Sequence, residues 1–436
     1  MNNAFPSRPA RADDRAVAGG VRGEAVSFRR LDEAGYPRGS AGYRSLTLAL
    51  FAAGMTTFAA MYSAQAALPE LAAGYRISVV GATLAVSATT GMVALAIIPA
   101  SVLSERFGRI RMMTSCAVAS AILGVLIPLA PTFGLLVIGR ALQGLALAGV
   151  PAVAMAYLAE EVQRGAIGAA MGRYIAGTTI GGLAGRLVTS LALDVMSWRW
   201  AMECAAILAL GFTMMFIRLA PPSRRFAPKP IGPLTVARNV LEQLRNPALA
   251  CLYLLAFLLM GGFVSIYNLL GFRLLAAPFG LPQTIVGLVF CFYLAGTITS
   301  ATAGRLADRH RRWVVLLIAV IVTAAGLLLT LPASLTLVLL GLLLFTGGFF
   351  AAHAVASGWV GRVATEHRAE ASSVYLFCYY LGSAVAGSGA GVAFSRAHWG
   401  GTVGYVGILL TLAGLTSIAL AVLSRRTPAN RNGTGR

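Results

Sequence analysis

The sequence predicts an all-α membrane protein whose twelve spanning helices form two pseudo-symmetric six-helix bundles. Three observations predict it. Hydrophobic residues make up 58% of the 436-residue chain and charged residues 11%, a balance that a water-soluble globule of this size does not reach. From residue 46 to residue 423, uncharged apolar stretches recur, divided by short charged links; each is near the roughly 20 residues a helix needs to cross a bilayer. The basic residues also alternate by side. If each stretch crosses once, 28 of the 35 Arg and Lys fall in the two tails and in every second link, and four (Arg76, Arg199, Arg273, Arg396) fall in the remaining links. Arg140, Arg173 and Arg186 lie inside spans. This is the positive-inside asymmetry, and it places both termini in the cytoplasm.

Residues 1–42 are rich in Arg, Ala, Gly, Asp and Pro without apolar periodicity, which predicts a disordered cytoplasmic tail. The first bundle, 43–217, carries spans at about 44–68, 79–103, 112–130, 133–159, 167–191 and 200–217. Pro69 stops the first span, because proline cannot continue a helix that needs its N–H. Residues 218–246 turn to prolines and basic residues, which predicts a cytoplasmic linker with a short surface helix over 234–245. The second bundle, 247–424, has spans at about 247–272, 282–304, 313–331, 335–358, 371–394 and 401–423, followed by a tail at 425–436. All five tryptophans fall at span ends, where an amphipathic ring sits between acyl chains and headgroups.

Several function classes drop out. A net charge of +20 would suggest nucleic acid in a soluble protein, but here it is thinly divided among loops. The five cysteines lie in spans and show neither a disulfide framework nor a metal-ligand spacing, and no cofactor motif is present. No cleavable signal peptide opens the chain, so the spans themselves must direct it to the membrane. An intramembrane enzyme would need a nucleophile with a base, paired carboxylates or metal ligands at one depth. No Asp lies within a span, and His353 is the only mid-span histidine. A channel would show a repeated filter or rings of charge, and none is visible.

The halves repeat one another. SERFGR after the second span and ADRHRR after the eighth place Glu105 and Asp308 203 residues apart. Gln143-Gly144 and Thr346-Gly347 fall at the same offset, and Ser197-Trp198 matches His398-Trp399 at 201. Three matches in order indicate duplicated six-helix units.

The loop signature Gly-x-x-x-Asp-Arg-x-Gly-Arg appears as Gly304, Asp308 and Arg309 in the second half and as Glu105, Arg106, Gly108 and Arg109 in the first. Ser101, Glu105 and Arg311 depart from it. The fourth span carries Arg140, Gln143 and Gly144 on one helical face, and the fifth carries Gly168, Gly177, Gly181, Gly182 and Gly185, with Gly182 where the pattern has proline. Leu68-Pro69-Glu70 closes the first span. On these residues the chain resembles the major facilitator superfamily over nearly everything after Tyr43, and within it the bacterial inner-membrane efflux permeases of the arabinose-efflux and drug-antiporter type.

The resemblance implies a monomeric secondary transporter of the bacterial inner membrane, exporting a small organic molecule or drug by alternating access, in exchange for protons. A uniporter, or an importer of a small organic anion, is the alternative. It implies that Glu105, Arg106, Arg109, Gly304, Asp308 and Arg309 form conformational latches, in which a carboxylate accepts from N–H groups at a neighbouring helix start while the adjacent Arg pairs with it. It also implies that the first, fourth, seventh and tenth spans line the cavity, which singles out Tyr62, Gln65, Arg140, Gln143, Tyr267, Asn268, Phe349 and His353. A permanently charged Arg140 inside hydrocarbon should face a wet cavity or a partner, or else snorkel to the headgroups. The fifth-span glycines are either an antiporter motif or a packing ridge. Arginine cannot release a proton, so the proton-coupling candidates are Glu203 and His353, whose reference pKa of ~6.5 suits switching near neutral pH. His353 could equally be a packed neutral residue.

Overall fold

The structure is a computed structural model, and it describes residues 35–226, 228 and 232–426. Its helices are α1 (Ala41–Ala66), α2 (Leu68–Tyr75), α3 (Val79–Phe107), α4 (Arg109–Leu126), α5 (Phe133–Leu147), α6 (Gly149–Glu161), α7 (Ile167–Leu193) and α8 (Trp198–Leu219). Then come α9 (Pro233–Arg245), α10 (Pro247–Leu274), α11 (Gln283–Leu288), α12 (Tyr293–Arg309), α13 (Arg312–Leu329), α14 (Leu335–Val363) and α15 (Arg368–Arg426). Among the described residues ten helical stretches are long and apolar enough to cross a membrane, with α5–α6 and α11–α12 each running on as one stretch. The longest, α15, breaks at Ala397 and His398, whose backbone is not helical, and so supplies two crossings. The remaining crossing is α7, whose 27 residues include Arg173 and Arg186. Twelve crossings in two six-helix bundles result.

Helix starts and stops follow local chemistry. Ser40, Ser78, Thr132 and Asn246 each accept a hydrogen bond from a first-turn N–H of the helix they precede. Gly108 separates α3 from α4 with a φ of +92°, a conformation that suits glycine.

The fifth-span glycines form a packing ridge. A Cβ on Gly181 or Gly185 would lie 2.5 Å from the carbonyl oxygen of Met55 or Ala59 on α1, and one on Gly177 would strike that of Phe51. The second half repeats the contact, since a Cβ on Gly382 of α15 would strike the Phe257 carbonyl of α10. Gly168 faces open space, and Gly182 lies beside Arg186.

One expectation at the terminal side needs correction. The expected disordered tail ran to residue 42, and its residues 1–34 lie outside the described residues. Its last part is docked: Tyr36 N–H donates to Glu161 O at 2.7 Å, Gln163 N–H donates to Tyr36 O at 3.2 Å, and Ser40 caps α1. Tyr36 supplies the apolar contact that composition alone hid, and a Cβ on Gly42 would collide with its ring. The linker helix lies at Pro233–Arg245, where the sequence placed a short surface helix over 234–245, and most of its residues are exposed. Asn239 of α9 donates to Glu370 at 3.0 Å and meets His367 Nδ1 at 3.2 Å, so this helix is fastened to the second bundle. Residues 427–436, most of the second expected tail, lie outside the described residues.

Candidate functional site

Across the seam between the bundles, three polar side chains from both halves join in a chain. Arg186 on α7 donates from Nε to Gln65 Oε1 on α1 at 2.6 Å, and Gln65 Nε2 donates to Asn268 Oδ1 on α10 at 2.7 Å. Arg186 Nη1 donates to the carbonyl of Gly182 one turn back, at 2.6 Å. Aromatic rings surround the guanidinium: Tyr62 at 4.2 Å, Tyr293 at 4.8 Å and Phe290 at 5.2 Å, each a cation–π contact. Asn268 Nδ2 and the Tyr293 hydroxyl are buried without a partner.

An aromatic column continues from this polar chain through the second half. The Tyr267 hydroxyl pairs with Thr346 at 2.6 Å, and its ring meets Tyr293 edge-on at 5.0 Å. Phe263 stacks on Phe349 at 3.9 Å, Phe349 on His353 at 6.0 Å, and His353 lies 4.7 Å from Tyr379. His353 Nδ1 is 3.0 Å from the Tyr375 hydroxyl. Of the residues singled out from sequence, Tyr62, Gln65, Tyr267, Asn268, Phe349 and His353 are therefore brought together here.

Arg140 and Gln143 are not. Arg140 is buried inside the first bundle, donating to the carbonyls of Ala60 (2.9 Å) and Met61 (2.5 Å) on α1 and Ala85 (2.8 Å) on α3, and to Gln143 Oε1 (2.6 Å). Gln143 in turn donates to Ser120 O on α4 at 3.1 Å. Their shared i, i+3 face points to α1, α3 and α4 rather than to the other half. A planar guanidinium with five donors is suited to tie several carbonyls at once. Glu203, the other proton-coupling candidate, stands on α8 outside the seam, and no hydrogen-bond or ion-pair partner meets it among the described residues. Arg173 is near the terminal end of α7, on Thr47 and the Tyr43 ring.

Sequence reasoning counted Arg186 with Arg140 and Arg173 as cavity-side arginines without singling it out as a site residue, and it missed Phe290, Tyr293, Tyr375 and Tyr379. Aromatic residues in apolar spans look like packing. The usable signal was Arg186 itself, a permanent charge on the helix that the glycine ridge presses against α1.

The end of the seam away from the chain termini is closed. The Asp194 carboxylate, just after α7, accepts from the N–H groups of Gln283 (3.0 Å) and Thr284 (2.9 Å) at the start of α11. The Thr284 hydroxyl, helped by these two amides, holds the Asp194 carboxyl below the usual carboxylate range. The charged form therefore strengthens the closure, and the contribution is lost as pH falls through that depressed value. Ser190 donates to the Gln283 carbonyl, and Gln283 Nε2 approaches Glu70 at 3.5 Å. Among the described residues, every hydrogen bond between the bundles lies at Gln65–Asn268 or beyond it toward this end.

The expected latches at the terminal end are wired differently from the sequence reading. Arg109, not the adjacent Arg106, pairs with Glu105 (2.5 Å), Glu160 (2.7 Å) and Ser104 (2.6 Å). Asp308 pairs with Arg362 (2.8 Å) and Arg312 (3.2 Å), not Arg309. Neighbouring residues on a helix point apart, whereas residues four apart meet. Arg106 lies over Phe107, and Gly304 borders open space. Both networks stay within their own bundle. Asp308 is 61% exposed, and a pair so open to water contributes little.

The model of the Major Facilitator Superfamily matches residues 50–290 and 252–436, and the chain belongs to that family. It is 37% identical over 398 residues to the uncharacterized MFS-type transporter YybF of Bacillus subtilis (strain 168), covering 91% of this chain and 98% of that protein. It is 38% identical to the inner membrane transport protein YnfM of Escherichia coli (strain K12), covering 88% and 92%. A chloramphenicol resistance protein of Streptomyces lividans is 27% identical over 67% of this chain and 73% of its own length. Among solved structures, a bacterial homologue of the human lysosomal transporter Spinster superposes with a TM-score of 0.71 at 15% identity, over 91% of this chain and 100% of that one. The xylose transporter XylE from E. coli gives 0.67 at 17%, with the same coverage; at these identities the likeness is one of fold. The chain is thus a multi-pass membrane transporter, not an enzyme.

Proposed function

We propose that this transporter works by alternating access, holding its substrate between the two bundles at Tyr62, Gln65, Tyr267 and Asn268, and that it exports a small organic molecule across the bacterial inner membrane. The observation that carries this reading is the Arg186–Gln65–Asn268 chain, which links the bundles across the seam by side chains alone. A substrate entering there replaces contacts that both halves make, and so couples its own binding to their relative motion. Export is supported by the likeness to a chloramphenicol resistance protein and by the residues shared with efflux permeases. Each copy contains both halves of the site, which suits a monomer. Protons drive export through His353, which lies in the aromatic column, and not through Glu203, which stands outside the seam.

Everted membrane vesicles test this. Vesicles with an acidic lumen and the overexpressed chain should accumulate at least one member of a labelled panel of organic solutes above control vesicles. His353→Gln should flatten the pH dependence of that accumulation, and Glu203→Gln should leave it unchanged. A double variant that keeps both the gradient and the pH profile would remove both residues as proton carriers.

The reading places both termini in the cytoplasm, supported by the 28 basic residues of the tails and alternate links against four opposite. In a cysteine-free background, Ala333→Cys, exposed between α13 and α14, should react with an impermeant thiol reagent added to whole cells. Glu242→Cys, exposed on α9, should react only after lysis. The reverse pattern inverts the topology.

A further inference from the structure

We propose that the seam site takes an organic anion, with its carboxylate held by Arg186, Asn268 and Tyr293. The proposal rests on the reading of the seam as the substrate site and adds the chemical class of what binds there. Arg186 is buried in a chain whose spans surround it with apolar side chains, and its charge is permanent. A charge held there needs a counter-charge or a full set of acceptors. Its protein acceptors are two neutral oxygens, Gln65 Oε1 and Gly182 O, which occupy Nε and Nη1. Nη2 has no acceptor among the described residues, and none of their carboxylates pairs with Arg186. The acids of the described chain lie at helix ends and in loops, apart from Glu203 on α8.

Around this unmatched cation the unused polar groups are donors. Asn268 has its oxygen committed to Gln65, while its Nδ2 has no partner and the residue is 1% exposed. The Tyr293 hydroxyl is unpartnered at 6% exposure, and its ring lies 4.8 Å from the guanidinium. A forked guanidinium edge with an amide N–H and a hydroxyl beside it is the complement of a carboxylate, which accepts at two oxygens and cancels the charge. A neutral solute would leave the cation uncompensated, and a cationic one would be repelled. Arg140 adds no pull of this kind, because carbonyls and Gln143 already occupy it. The rings of Tyr62, Phe290 and Tyr293 offer the rest of the ligand an apolar, aromatic wall.

The test uses the purified full chain in detergent, with benzoate, benzamide and benzylamine as probes of matched size and differing charge. Benzoate should raise the thermal unfolding temperature in a saturable way, and benzamide and benzylamine should not. Arg186→Gln should raise the half-saturating benzoate concentration by about tenfold or more. Since Arg186→Gln also loses two internal bonds and could fold poorly, Asn268→Asp is the second variant. It keeps the acceptor for Gln65, removes the free donor and supplies an internal carboxylate. It should fold at least as stably without ligand and lose benzoate binding by a similar factor. If benzamide or benzylamine binds instead, with an affinity that changes in Asn268→Asp, the anion class is wrong while the seam remains the substrate site. If benzoate protects both variants as well as it protects the wild type, the site itself is misplaced. If none of the probes protects the wild type, the proposal also fails.

Discussion

Arg140→Ala is expected to lower the thermal stability of the solubilised protein by about 3–5 kcal/mol, the combined scale of a buried large-to-small change and of lost hydrogen bonds to a charged group. One side chain ties α1, α3 and α5 together through three backbone carbonyls, and it also orients Gln143 toward α4. Alanine leaves a void where the guanidinium stood and leaves Gln143 Oε1 without its donor. Arg140→Lys should not restore stability, because a single ammonium cannot reach three carbonyls in different directions. Monodisperse protein surviving a temperature ramp is the quantity to measure. An Arg140→Ala protein as stable as wild type but unable to transport would return Arg140 to the substrate site and contradict its placement inside the first bundle.

The fold was legible from sequence because a membrane imposes it. Apolar length and the side-to-side alternation of Arg are one-dimensional signals, and the Glu105–Asp308 spacing exposed the duplication without any contact being known. The expected spans lie close to the helices observed, including α7, which carries Arg173 and Arg186. The candidate site was legible only in part. Tyr62, Gln65, Tyr267, Asn268, Phe349 and His353 could be picked out because polar or aromatic residues on particular spans are few. Arg140 and Arg186, by contrast, are both single arginines in apolar helices. What separates them is whether the neighbouring helix offers free carbonyls, as α1 and α3 do for Arg140, or a side chain from the opposite bundle, as Gln65 and Asn268 do for Arg186. That depends on helix rotation, which the sequence does not state. The latch pairs failed for a related reason: Arg109 reaches Glu160 across 51 residues, and Arg362 reaches Asp308 across 54.

Alternating access itself requires that the two ends of the seam open in opposition, and this can be measured without knowing the substrate. In a cysteine-free background, Glu70→Cys and Gln283→Cys, whose native side chains meet at 3.5 Å across the closed end, can be bridged by a short, reducible bifunctional thiol reagent. Spin labels then read the other end between Arg164, exposed between α6 and α7, and Glu366, exposed between α14 and α15, with each position carrying an orthogonally attached label. Unbridged protein in lipid nanodiscs should show two Arg164–Glu366 distances, one for each orientation of the bundles. Bridging the closed end should leave only the longer distance, and reduction should bring the shorter one back. An Arg164–Glu366 distribution that is the same with and without the bridge would show that the two ends do not move in opposition, and would contradict alternating access about the Gln65–Asn268 contact.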